Sequence, residues 1–183
     1  MEIDRARIER VVRDVIEESE ASGGPPERPE APPGTVAIGA DHGGFALKET
    51  LKRYLTDELG YRVLDVGTPN EGSCDYPDFA AKVARAVSEG RCKRGILICG
   101  SGIGMSMAAN RFPRVRAALC NDLFSAIMSR RHNDANVLAM GGRIIGDALA
   151  KEIVDAWLSA EFEGGRHQKR IETMDDIVKQ KED

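Results

Sequence analysis

The stretch LICGSGIGMSMAAN, residues 97–110, ends an apolar run in Cys99 and follows it with Gly100, Gly102 and Gly104 before a helix-like segment. A dinucleotide fingerprint, G-x-G-x-x-G, requires glycine where Met105 stands, so that reading fails. What remains is a run of backbone N–H groups at a helix start, suited to an anion or a developing oxyanion. Cys99 sits directly before these donors, which favour a thiolate. A strand-end cysteine is commonly a small buried hydrophobe, but the glycines beside this one favour chemistry. Asp41 and His42 in ADHGG, and His132 and Asn133 in RRHNDAN, are further polar candidates. Arg166 and Arg170 lie four apart after Gly164 and Gly165, so on a helix they face one way near its positive end, which suits a phosphate. Each has a plain structural alternative: a cap or turn residue, a solvated helix end, an exposed basic face. Together they are the parts needed to move a proton beside the carbonyl of a phosphorylated substrate. Acyl transfer by a cysteine nucleophile needs many of the same parts, and residue chemistry alone does not separate the two.

The elements that must position these groups alternate. Apolar, β-branched runs TVAIGA, YRVLDV, RGILIC, VRAALC and NVLAM are separated by helix-like segments beginning near Phe45, Pro77, Gly104, Leu123 and Gly146. Five such units imply an α/β fold: a Rossmann-like, doubly wound sheet of five parallel strands with helices on both faces. Asp41 and His42, Cys99 to Gly104, Asn121 and Asp122, and Gly141 to Arg143 then all follow strands, at the sheet edge where such folds bind ligands. A last helical stretch, HQKRIETMDDIVKQKED, is polar enough to be exposed or to cross to another subunit.

Composition narrows the partners. The 183 residues can bury one ordinary core, and no apolar run approaches the roughly 20 residues of a membrane span. Residues 1–33 carry five arginines against nine carboxylates, leaving the body with 21 basic and 21 acidic residues. A neutral body argues against a general nucleic-acid surface. Cys74, Cys92, Cys99 and Cys120 show neither metal-ligand spacing nor a disulfide framework, so no metal is expected and a reducing cytoplasm fits best.

Five motifs, GADHGGFALK, DYPDFA, GILICGSGIGMSMAAN, SRRHNDANVLAMGGRIIG and FEGGRHQKR, resemble in order and spacing the type B ribose-5-phosphate isomerase family, which includes galactose-6-phosphate isomerase. The resemblance covers roughly residues 35–175. It implies a cofactor-free, metal-independent aldose–ketose isomerase, and a homodimer or tetramer whose sites combine residues of two subunits. On its pattern Cys99 is the base working through a cis-enediolate, since Ile103 occupies the place of the glutamate some relatives use. Ser101 stands where others have threonine and passes protons at the sugar oxygens. The N–H groups from Gly100 through Gly102 to Gly104, with Asn133, hold the enediolate oxygen, and His132 opens the furanose ring. Asp41 binds sugar hydroxyls, His42, Arg143, Arg166 and Arg170 contact the phosphate, and Tyr76 lines the pocket. Ribose 5-phosphate is the expected substrate, with allose or galactose 6-phosphate, or non-catalytic sugar-phosphate binding, as alternatives.

The amino-terminal arm departs from that family. Ile8, Val11, Val12, Val15 and Ile16 recur at helical spacing, so residues 1–20 read as an amphipathic helix. Residues 21–34 hold five of the eight prolines and three glycines, the composition of an extended linker. Helix and tether, ahead of an isomerase domain over 35–183, resemble the encapsulation peptides that carry enzymes into bacterial microcompartments by docking on shell or cargo proteins. A helix that packs on the body or on a sister subunit is the alternative.

Overall fold

The computed structural model describes residues 34–179. The expected helix over 1–20, and its linker up to Pro33, lie outside the described residues. Strands β1 (Thr35–Ala40), β2 (Arg62–Asp65), β3 (Arg94–Cys99), β4 (Ala117–Leu119) and β5 (Val137–Gly141) form one parallel sheet in the order β2-β1-β3-β5-β4. Between and after them come α1 (Phe45–Arg53), α2 (Tyr76–Ser88), α3 (Ile103–Ala109), α4 (Leu123–Asn133), α5 (Asp147–Ser159) and α6 (Arg166–Lys179). No helix among the described residues is long and apolar enough to cross a membrane.

Strand alternation sorts the core into two layers. Val36, Ile38, Ile96, Ile98, Leu138 and Met140 face Leu47 and Leu51 of α1, Ala126 of α4, and Ile153 and Trp157 of α5. Ala37, Leu97, Cys99 and Ala139 face the other way, against Val83 and Ala84 of α2 and Met105 and Ala109 of α3. The expected five-stranded α/β sheet is therefore present, with both faces covered. Its fourth strand is shorter than the run VRAALC: the Arg116 N–H donates to Asn136 Oδ1 at 2.8 Å, so the ladder starts at Ala117.

One ionic cluster pins α1 to the end of β2. Lys48 is 1% exposed, and its Nζ donates to Asp65 Oδ2 at 2.8 Å and to Glu49 Oε1 at 2.6 Å. Lys52 reaches the same two oxygens at 2.8 Å each. Burial pushes the Asp65 carboxyl up, but hydrogen bonds from Lys48 and then Lys52 outweigh it and hold Asp65 below its ordinary value. The same two lysines lower Glu49. Carboxyls depressed by folding contribute stability above their unfolded values, and that contribution is lost as pH falls through the folded ones. Urea unfolding of Asp65→Asn at neutral pH should therefore show a loss of about 1–3 kcal/mol, from weakened pairing of a buried ammonium. The gap between wild type and variant should shrink as pH falls from about 4 downward.

Candidate active site

Three loops at the carboxyl edge of the sheet meet almost backbone to backbone. A Cβ on Gly43 would stand 3.0 Å from the Gly100 nitrogen, and one on Gly142 would stand 2.9 Å from the Gly43 oxygen. Gly142 N–H donates to the Cys99 carbonyl at 2.8 Å, and Arg143 N–H to that of Gly100 at 3.2 Å. The Arg143 side chain consequently lies over Gly100, its Cδ 3.5 Å from where a Cβ would be. Gly102 makes the turn into α3 at φ +79°, a conformation that favours glycine. A methyl group there would also meet Leu119 Cδ1 at 2.5 Å and the Met140 carbonyl carbon at 2.8 Å.

This turn holds the thiol. The Gly102 N–H donates to Cys99 Sγ at 3.1 Å, and Cys99 is 6% exposed at the end of β3. Such a bond stabilises sulfur that carries negative charge. Among the described residues the N–H groups of Gly100 and Ser101 take no partner, which leaves two donors beside the thiol for an oxyanion. Ser101 Oγ accepts from the Ile103 N–H at 3.4 Å, a long contact that leaves the hydroxyl proton available. The Tyr76 ring rests on the start of α3, 2.6 Å from where a Gly104 Cβ would stand.

Asp41 caps the turn His42–Gly44: its Oδ1 accepts from the Gly44 N–H at 3.2 Å. The turn-residue alternative therefore holds for one of its oxygens. His42 Nδ1 accepts the Cys74 N–H at 3.3 Å, so its neutral ring carries the proton on Nε2 and presents a donor. Cys74 Sγ lies 4.0 Å from the same nitrogen, a neighbour that sequence distance did not suggest. All four cysteines are free thiols, and burial raises Cys120 to about 11, which keeps it protonated.

The remaining candidates stand elsewhere. His132 and Asn133 end α4, where Arg116 Nε, just before β4, donates to the Asn133 carbonyl at 3.1 Å. That is the amino edge of the sheet. Cys99 marks the opposite edge, where Asn121 Oδ1 accepts from the Gly141 N–H at 2.9 Å. The length of β5 puts roughly 15 Å between the two edges. Arg166 and Arg170, both exposed, belong to α6: Arg170 shares a cleft with His132, and Arg166 bonds to His167 of that cleft. The cleft, about 250 Å³, is lined by His132, Asn133, His167, Arg170, Ile171 and Met174. A larger cleft of about 450 Å³ outside α2, flanked by Lys82, Arg85 and Arg91, holds none of the site candidates.

Two members of the second cluster were not legible in the sequence. His167 stacks on His132 with ring centroids 4.2 Å apart and planes 3° from parallel. Glu163 Oε2 lies 3.7 Å from the Nε2 of each ring. Glu163 and His167 are four apart in FEGGRHQKR, but nothing in the spacing joins them to a histidine more than thirty positions earlier. These three side chains bring donor atoms within 4.8 Å of one another, the composition of a metal site. Parallel rings direct their lone pairs side by side, however, so one ring would have to turn before both could meet a single ion.

Residues 36–174 match the family model described as Ribose/Galactose Isomerase. The chain belongs to that family. Across 139 residues it is 52% identical to ribose-5-phosphate isomerase B of Escherichia coli (strain K12), covering 76% of this chain and 93% of that one. It is 46% identical to the D-erythrulose-4-phosphate isomerase of Pectobacterium atrosepticum, over 75% of this chain and 91% of that protein. The solved structure of Clostridium thermocellum ribose-5-phosphate isomerase B superimposes with a TM-score of 0.78 at 52% identity, covering 80% of this chain and 98% of that one. The chain is a sugar-phosphate isomerase of this ribose/galactose isomerase family, and the thiol loop and the histidine cluster both fall inside the matched span.

Replacing the glycine that turns the thiol loop should damage both fold and site. In Gly102→Ala, a left-handed conformation and a clash with the Met140 backbone together cost roughly 2–5 kcal/mol. Urea unfolding should show that loss, and thiol-reactive labelling of the native protein should show Cys99 more exposed than in wild type.

Proposed function

We propose that this isomerase interconverts ribose 5-phosphate and ribulose 5-phosphate through a cis-enediolate, by proton transfer alone, in active sites shared between two copies of the chain. The observation that carries the reading is the Cys99 thiol held on the Gly102 N–H beside the two unpartnered N–H groups of Gly100 and Ser101. Cys99 takes the proton from C2 of the open-chain aldose and returns it to C1. Ser101 passes protons between the sugar oxygens, and the Gly100–Gly104 backbone stabilises the oxygen that becomes anionic, where each donor is worth most in the transition state. His42 Nε2 and the Arg143 guanidinium hold the phosphate, Asp41 offers its second oxygen to a sugar hydroxyl, and the Tyr76 ring walls the pocket.

His132, Asn133, Arg166 and Arg170 cannot serve the Cys99 of their own chain across roughly 15 Å of sheet. They serve that of a second copy, opening the furanose ring and closing the phosphate and oxyanion sites. The apolar rim at the carboxyl edge supports this: Ile103, Met107, Phe124 and Ile144 are 47%, 64%, 59% and 57% exposed beside the thiol loop. Such a patch is the kind a partner surface covers.

Cys99→Ala should lower turnover of ribose 5-phosphate about 10²–10⁴-fold while sugar-phosphate binding persists. His132→Ala should be similarly impaired. Mixed and re-associated, the two inactive variants should regain about a quarter of wild-type activity, because half the dimers are hybrids with one intact site each. No regain refutes the shared site. In deuterated water, only the isomerase incorporates solvent deuterium. A binding module leaves the sugar unlabelled, and an acyl transferase traps a covalent thioester. Turnover of D-erythrulose 4-phosphate, allose 6-phosphate or galactose 6-phosphate above that of ribose 5-phosphate would reassign the substrate.

The amino-terminal residues belong to the same reading: residues 1–20 dock on shell or cargo proteins of a bacterial microcompartment, 21–34 tether them, and 35–183 form the enzyme. Deleting residues 1–33 should spare activity and assembly while abolishing co-purification with shells. Val12→Asp with Val15→Asp should do the same, through the cost of desolvating two charges. A truncated enzyme that loses its dimer instead supports the packing-helix alternative.

A further inference from the structure

The two histidines at the amino edge are not equivalent, although one carboxylate oxygen of Glu163 lies 3.7 Å from the Nε2 of each. His167 is 5% exposed, whereas about a third of the His132 side chain is open to the cleft. Arg166 Nε donates to His167 Nε2 at 3.3 Å. A nitrogen that accepts from a guanidinium is not protonated, so His167 is the neutral ring with its proton on Nδ1. Burial, the neighbouring His132 and Arg166 all push its imidazole down, which agrees with a neutral ring.

Glu163 is itself held. Its Oε1 takes Arg131 Nε at 2.6 Å, and its own N–H donates to the Arg131 carbonyl at 3.0 Å. The charged and titratable groups around His132 are thus Arg131 of its own helix, Glu163 of the connecting segment, and Arg166, His167 and Arg170 of α6. Only Glu163 among them favours a cationic imidazole, and His167 has no use for it.

We propose that Glu163 and His167 are positioning residues for His132: the neutral, buried ring of His167 fixes its plane by stacking, and the Glu163 carboxylate stabilises its imidazolium for donation to the sugar ring oxygen. The inference deepens the isomerase reading and rests on His132 as the ring-opening group. The step balances. The proton on Nδ1, the imidazolium nitrogen not turned to Glu163, goes to O4 as the C1–O4 bond breaks and leaves its electron pair on that oxygen. The hydroxyl proton on O1 departs to water, and its bonding pair becomes the second bond of the aldehyde C1=O1. Water then reprotonates the imidazole.

Ribulose 5-phosphate supplies the test, because its 5-oxygen carries the phosphate and it cannot close to a furanose. Exchange of its C1 hydrogen with deuterated solvent needs Cys99 and the enediolate but no ring step. In Glu163→Gln, which keeps an oxygen for Arg131, and in His167→Ala, conversion of ribose 5-phosphate should fall about 10- to 100-fold. C1 exchange from ribulose 5-phosphate should stay within about threefold of wild type, and His167→Phe, which restores a flat ring, should recover most of the conversion. Equal loss of both reactions, or undiminished conversion of ribose 5-phosphate, would overturn the positioning role. Wild-type protein that neither converts nor exchanges would sink the ribose 5-phosphate reading itself, a distinguishable result.

Discussion

In a parallel sheet a helix that follows a strand must run back along it, and this direction decides where each reactive group of the chain sits. Groups in the loop after a strand stay at the carboxyl edge, as Cys99, His42 and Arg143 do. Groups at the far end of the returning helix are carried to the amino edge, as His132 and Asn133 are at the end of α4. No rearrangement of loops brings the two sets together within one chain, because a strand's length of ordered sheet stands between them. Their separation is a property of the fold, and it divides the acids, bases and cations that one chain carries between two edges of the sheet.

At the carboxyl edge the deciding factor is the absence of side chains. Gly43 and Gly142 let three loops approach until their backbones touch, and Gly102 turns the chain in a conformation that also aims its N–H at the thiol. Fixed dipoles result where flexible side chains would have to be ordered during the reaction. The apolar rim around them, from Ile103 to Ile144, gives a low-dielectric wall only when something covers it.

The amino edge works by charge and stacking instead. Arg131 holds Glu163, Glu163 faces two imidazoles, and Arg166 ties down the buried one. Lys48, buried between Asp65 and Glu49 beside β2, shows the same economy in a purely structural place: a charge is buried only where its partners are already fixed.

Much of this was legible in the chain alone, because local rules govern it. Alternating apolar runs give strands whatever their neighbours are, and a strand followed by a glycine-rich turn and a helix places its loop at the carboxyl edge. The five strands, the thiol loop, the capping turn at Asp41 and the family resemblance all come from such short-range patterns. What they do not contain is distance across the fold. The place of β5 between β3 and β4, the short β4, the Cys74 N–H on His42, and the meeting of Glu163, His167 and His132 each join residues far apart in sequence. Residue types and spacing thus narrowed the chemistry to proton transfer or acyl transfer, and the motifs that carry the family resemblance chose between them. Only the tertiary structure decided which groups share a site, because contacts between distant segments depend on how the sheet stacks its helices, and no periodicity records that.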